Sequence, residues 1–321
     1  MTTSTNRTPH RALAGLEVLI CAALLAACGG GEPIERFVPT RLIVIGDETS
    51  VINTDGSKYT VNGFTANTIT LDCTVNPVWV QRVGNAYGLV FSQCPGASTA
   101  PPSALVFAVA GARVADVAGQ ISAIGSFAAK DLVTMLAGSN DVLAQYALFN
   151  TTVNRVQQTE AVLTAAVEAL GETLAAQVNR VADAGGKALI STLPDLGLTP
   201  FALSEETASP GRAAMLTRLT KRFNAKLRIN IVNDGRRIGL LLTDELVQAV
   251  VKSPAGSGLT NVTQAACDAA LAPSVTTCTP STLISGASAT TYLWANDRLF
   301  GPAGHVLLSN LALSRVANNP F

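Results

Sequence analysis

Five short apolar runs, each closing on a glycine or a polar turn, constrain this chain more than any other feature of its sequence. Arg41-Leu42-Ile43-Val44-Ile45 stops at Gly46-Asp47, residues 105–109 at Gly111, residues 131–136 at Gly138, and residues 187–192 at Pro194-Asp195; residues 237–243 form the fifth run. Short runs without polar alternation suit strands buried on both faces, as in a parallel sheet. Between the third and fourth runs, residues 152–184 place apolar side chains at three- and four-residue spacings (Val156, Leu163, Val167, Leu170, Leu174, Val178, Val181) until Gly185-Gly186. That spacing predicts one long helix. Further helices are expected over residues 211–232 and 303–316. Strands alternating with helices imply an α/β fold with a doubly wound parallel sheet of about five strands. Ligand sites in such sheets lie beyond the carboxyl ends of the strands. No internal repeat and no second core are visible, so residues 41–321 are read as one domain.

The N-terminus carries a different message. Arg7, His10 and Arg11 precede an apolar run from Ala12 to Ala27, interrupted by Glu17. The run is short for a bilayer anchor and has the layout of a secretory signal. It ends Leu25-Ala26-Ala27-Cys28, followed by Gly29-Gly30-Gly31, and resembles the lipobox of bacterial lipoproteins. The resemblance implies a signal peptide over residues 1–27, a lipid on Cys28 and a tether over residues 28–40. It also implies an envelope location, as an outer-membrane lipoprotein that is periplasmic or surface-exposed, because Gly29 rather than Asp follows the cysteine. Membrane contact is then made through the lipid alone.

Removal of the leader leaves Cys73, Cys94, Cys267 and Cys278 beside Cys28. An even number in an oxidising compartment suggests two disulfides, with three possible pairings. Cys73–Cys94 and Cys267–Cys278 close the shortest loops and are the expected pairs. No cysteine has a His or Cys neighbour at ligand spacing, so no metal site is expected, and nothing points to a cofactor. The 22 Lys and Arg balance 22 Asp and Glu and are scattered along the chain. No basic block is interleaved with aromatic residues, so a nucleic-acid partner is not expected. The chain is expected to be a monomer.

Four segments carry a family resemblance. They are Ile43-Val44-Ile45-Gly46-Asp47 with Thr54-Asp55-Gly56 after it, Phe107-Ala108-Val109-Ala110-Gly111-Ala112, Gly138-Ser139-Asn140-Asp141, and Pro302-Ala303-Gly304-His305. In this order and spacing they resemble the blocks of the SGNH (GDSL) esterases and lipases. Leu193-Pro194-Asp195-Leu196-Gly197 and Asn224-Ala225-Lys226-Leu227 agree. The resemblance spans about residues 41–316 and implies a three-layer α/β/α, flavodoxin-like fold. It also implies an ester-hydrolase site with Gly111 and Asn140 as oxyanion donors. Acyl transfer needs such donors aimed at the oxygen that becomes negative, together with a nucleophile and a base.

The attacking groups depart from that pattern. Glu48 stands where the family has its serine. Ser50 lies two residues on, which in a helix turns it about 200° from that position, and Thr49 turns about half as far. Aligning Ala303-Gly304-His305 without a gap puts Leu299 at the catalytic His position and Asn296 at the Asp position. A one-residue shift gives Asp297 with Phe300 instead, and neither register supplies a histidine. His305, the one histidine beyond the leader, is therefore the only candidate base. Two functions follow as expectations. One is a catalytically impaired envelope lipoprotein that retains a pocket and oxyanion-type donors for a small acyl-ester or glycan ligand. The other is an active ester hydrolase using Ser50 or Glu48 with His305. A carboxylate attacking an ester forms an anhydride and needs an acid for the leaving group. At a helix N-terminus, Glu48 can instead occupy the donors itself, and this is the picture of a plugged site.

Overall fold

The five apolar runs become five strands: β1 (Arg41–Gly46), β2 (Ala104–Val106), β3 (Asp131–Leu136), β4 (Lys187–Ser191) and β5 (Ile238–Leu241). They pair in the order β2-β1-β3-β4-β5, and every pairing is parallel. The register sets Leu42 beside Ala104 and Leu132, Leu132 beside Lys187, and Ala188 beside Ile238. The computed structural model describes residues 1–3, 36–318 and 321. The expected Cys28 lipidation site and nearly all of the expected signal peptide fall outside them. Residues 37–321 form one compact unit.

Eight helices among the described residues complete this unit: α1 (Trp79–Ala86), α2 (Val114–Ile124), α3 (Ser139–Tyr146), α4 (Glu160–Asp183), α5 (Pro200–Ala208), α6 (Arg212–Asn230), α7 (Thr243–Lys252) and α8 (Pro302–Asn318). Alternation along each strand divides the core into two layers. Ile43, Ile45, Val133, Met135 and Ile190 pack with α2 through α6, whereas Leu42, Val44, Leu132, Leu136 and Leu189 pack with α1, α7 and α8. Because both faces are covered, the strands read as predominantly apolar runs. Burying each such side chain contributes about 1.5–3 kcal/mol, an upper bound because the unfolded chain already hides some surface.

One expected helix starts late. Residues Thr152–Val153 and Val156–Gln157 form an antiparallel hairpin, and α4 begins only at Glu160. Asn154 and Arg155 both adopt positive φ, 49° and 67°, as a two-residue turn between antiparallel strands requires. Thr159 then caps α4 by accepting from the Val162 N–H. The apolar period of the helix had extended backwards through Val156 by coincidence.

Both expected disulfides are present, Cys73–Cys94 and Cys267–Cys278. The second sits in a separate small apolar cluster with Val61, Ala266, Tyr292, Ala295 and Leu299. It braces the segment that runs from the sheet edge towards α8.

Candidate functional site: a carboxylate in a cradle of donors

The connections after β1 and β3 diverge to opposite faces of the sheet, since β1 leads towards α1 and β3 into α3. A crevice opens where neighbouring parallel strands part in this way. Gly46 ends β1 at φ 137°, and a Cβ there would lie 1.9 Å from the Leu136 carbonyl oxygen of β3. Only glycine lets the two strand ends approach so closely. Gly138 plays a similar part at φ 119°, where a Cβ would meet the Phe223 ring at 2.4 Å. These two glycines bring the turn after β1 against the start of α3.

That turn is a short 3-10 segment, Glu48–Ser50, capped by Asp47, whose Oδ1 accepts from the Thr49 N–H at 3.0 Å. Glu48 is buried and extends across the crevice. Its Oε2 accepts from the Gly111 N–H at 2.8 Å and from the Asn140 Nδ2 at 2.9 Å. Gly111 thus contributes from the segment after β2 and Asn140 from the first turn of α3. Asn140 Nδ2 also donates to the Ala112 carbonyl at 3.2 Å, which holds the amide in place. Asp141, the next residue, accepts from the Val114 N–H at 2.9 Å and ties α3 to α2. Burial is the main reason that its carboxyl lies above the usual range.

The crevice around Glu48 is lined by Asp47, Thr49, Ser139, Asn140, Pro194, Leu196, Arg298, Leu299 and Phe300. Its cavity of ≈ 10 Å³ holds about one water molecule. Asp47, behind Glu48, is completely buried, and its Oδ2 has no partner. Burial, and then the adjacent Glu48 charge, push its carboxyl up to about 8. The wall opposite carries Arg298, whose Nε is likewise buried without a partner.

The remaining candidates fare differently. Leu299 does line the crevice, while Asn296 serves the turn before it: its Oδ1 accepts from the N–H groups of Arg298 and Leu299, at 3.1 and 2.7 Å. Asp297 points outward beside Arg298 at 3.6 Å, and only its carbonyl is engaged inward, by the Phe201 N–H. Two sequence-based expectations need correction. Ser50 is fully buried, with its Oγ accepting from Trp79 Nε1 at 3.1 Å, and does not face the crevice. His305 is also fully buried, on α8. Its Nδ1 accepts from the Trp79 N–H at 3.3 Å, its Nε2 has no partner, and its ring meets Phe300 edge to face. Burial first, and then the charges of Lys58 and Arg82, bring its pKa down to about 3. It is a neutral core imidazole outside the crevice wall, not a base beside Glu48. Its place in the first turn of an apolar helix was the sequence signal for this.

Sequence reasoning did not single out Arg298, and it named Asp47 only as part of a motif, with no role in the site. Nothing in a sequence distinguishes a turn-capping aspartate from one whose second oxygen is sealed in the interior.

Among solved structures, the chain is similar to Axe2, an acetylxylan esterase from Geobacillus stearothermophilus, at 16% identity, covering 88% of this chain and 98% of that one with a TM-score of 0.41. It is similar to a member of the lipolytic protein G-D-S-L family from Veillonella parvula DSM 2008, at 11% identity over 85% and 96% of the two chains with a TM-score of 0.41. It is also similar to LAE5, an alpha/beta hydrolase enzyme from the metagenome of Lake Arreo, Spain, at 15% identity over 86% and 94% with a TM-score of 0.41. A search of curated proteins gives no match. The family model for GDSL-like Lipase/Acylhydrolase matches residues 50–267, well over half of the 321 residues, and the protein belongs to that family.

Proposed function

We propose that the protein is a catalytically impaired GDSL-family envelope lipoprotein, in which Glu48 occupies the donors that would otherwise receive an ester oxyanion. The observation that carries this reading is the pair of hydrogen bonds from Gly111 and Asn140 to one carboxylate oxygen of Glu48. A resident carboxylate already satisfies both donors and repels a second developing anion at the same place. The rest of the attacking machinery is missing from the crevice as well. Leu299 supplies hydrocarbon where a base is needed, and Ser50 and His305 are spent on Trp79. Removing a triad member ordinarily costs several orders of magnitude, leaving roughly 10³–10⁴-fold over water from the donors alone. Here even those are engaged. The lipoprotein part rests on the order of charge, apolar run, small residues and Cys28 at the N-terminus.

The test is reconstruction. Wild type is expected to hydrolyse short-chain p-nitrophenyl esters no faster than Glu48→Ala, whereas Glu48→Ser with Asn296→Asp and Leu299→His is expected to gain esterase activity. Adding Asn140→Ala to that triple variant is expected to remove about 10²–10³-fold of the gain. Wild-type turnover that disappears in a folded His305→Ala variant would sink the proposal. Radiolabelled palmitate incorporated into wild type and lost in Cys28→Ala tests the anchor.

A further inference from the structure

A second cavity, of ≈ 200 Å³, lies between the approach to α1 and the first turns of α8. It shares no lining residue with the Glu48 crevice. Pro77, Pro302, Val306 and Leu307 give it apolar walls, Ser257, Thr290 and Asn76 add neutral polar groups, and Arg82 supplies a guanidinium. No Asp or Glu is among its lining residues. Arg82 Nε donates to Ser309 Oγ at 2.8 Å. Among the described residues, Arg82 takes part in no ion pair. Its guanidinium thus lines the cavity without a counter-ion among the described residues.

A second cation stands close by with its own counter-charge, since Lys58 and the Asp72 carboxylate act on each other. Lys58 is buried nearby, donating to the Cys73 and Val75 carbonyls at 2.8 and 2.7 Å, and it acts with Arg82 on the same neutral His305. The positive end of the α8 dipole lies on this side too. A planar guanidinium matches a carboxylate through two parallel N–H bonds. The proline and aliphatic part of the wall suits an alkyl chain, which a monocarboxylate carries and inorganic phosphate lacks. The cavity is also smaller than those that enclose drug-sized molecules.

We propose that this cavity binds a short-chain monocarboxylate, held by the terminal nitrogens of Arg82, with its alkyl chain against Pro77, Pro302, Val306 and Leu307. The site is separate from the Glu48 crevice, so it does not depend on whether that crevice is catalytic.

Calorimetric titration of the purified full-length protein with sodium hexanoate, hexan-1-ol and inorganic phosphate tests it. Wild type is expected to bind hexanoate at least about tenfold more tightly than either comparator. Arg82→Gln is expected to remove that preference while leaving hexanol within about twofold, because the hydrocarbon wall is unchanged. Val306→Phe, which fills the cavity, is expected to weaken hexanoate and hexanol together. The proposal is overturned if folded wild type does not bind hexanoate, if phosphate binds as tightly, or if Val306→Phe leaves hexanoate affinity unchanged. The wild-type comparison and the Val306 variant decide the matter even if loss of the Ser309 contact unfolds Arg82→Gln.

Discussion

Glu48 Oε2 and the side-chain amide nitrogen of Asn140 are 2.9 Å apart, although 92 residues separate them in the chain. The bond is charge-assisted and partly buried, so it belongs to the stronger class of hydrogen bonds, worth about 1.5–3 kcal/mol. Glu48→Ala and Asn140→Ala are each expected to lower unfolding free energy by about that amount in urea titrations. The double variant is expected to lose less than the sum, by about 1–2 kcal/mol, because the two changes remove one shared interaction. Strict additivity would show that the contact contributes nothing.

The pH dependence of stability turns on two buried groups of opposite sign. Asp47 is raised from 3.8 to about 8, so the folded state holds a proton that the unfolded chain releases at lower pH. Its contribution is complete below the unfolded value and is lost as pH rises through about 8. His305 is lowered from 6.5 to about 3. Its neutral form favours folding above 6.5, and that stability is lost as pH falls towards 3. The two slopes oppose each other between about 4 and 6.5 and leave Asp47 alone between about 6.5 and 8. Urea midpoints are expected to fall across that upper window in wild type and to stay flatter in Asp47→Asn. Glu48→Gln is expected to end the fall at a lower pH, since the Glu48 charge is one of the causes of the shift.

Two helical glycines are expected to respond to alanine with opposite signs. Gly119, exposed on α2, has nothing within 4 Å of an added Cβ, so Gly119→Ala is expected to stabilise by about 0.5–1 kcal/mol through helix propensity. At Gly171 on α4 the new Cβ would lie 2.4 Å from the Phe223 carbonyl oxygen of α6. Gly171→Ala is expected to push the two helices apart and cost about 1–3 kcal/mol. Thermal melts of the pair compare them directly.

The Cys267–Cys278 disulfide closes a loop of sequence separation 11 inside the small cluster that contains Leu299. Replacing both cysteines by serine is expected to cost about 2–4 kcal/mol. It is also expected to increase hydrogen exchange of residues 296–300, because their wall of the crevice leans on that cluster. Unchanged exchange there would mean that the wall is held without the disulfide, by the Asn296 turn and the stacking of Trp294 on Phe300.

The sequence by itself determined the sheet. Strands buried on both faces are predominantly apolar, so Leu42–Ile45 and Leu132–Leu136, the latter interrupted only by Thr134, announced themselves, and the glycines after them marked the strand ends. Loop length favoured, among three possible pairings, the two disulfides that the structure holds. What only the tertiary structure decided was which polar groups meet. Val156 had the period of a helix yet lies in a hairpin, because the positive φ of Asn154 and Arg155 is a matter of local backbone geometry that apolar spacing does not encode. His305 and Ser50 looked available as chemistry, but both are consumed by Trp79, a partner 226 positions from one and 29 from the other. Burial and hydrogen-bond satisfaction depend on every element packed around a side chain, and so they are properties of the assembled fold rather than of the residue that carries them.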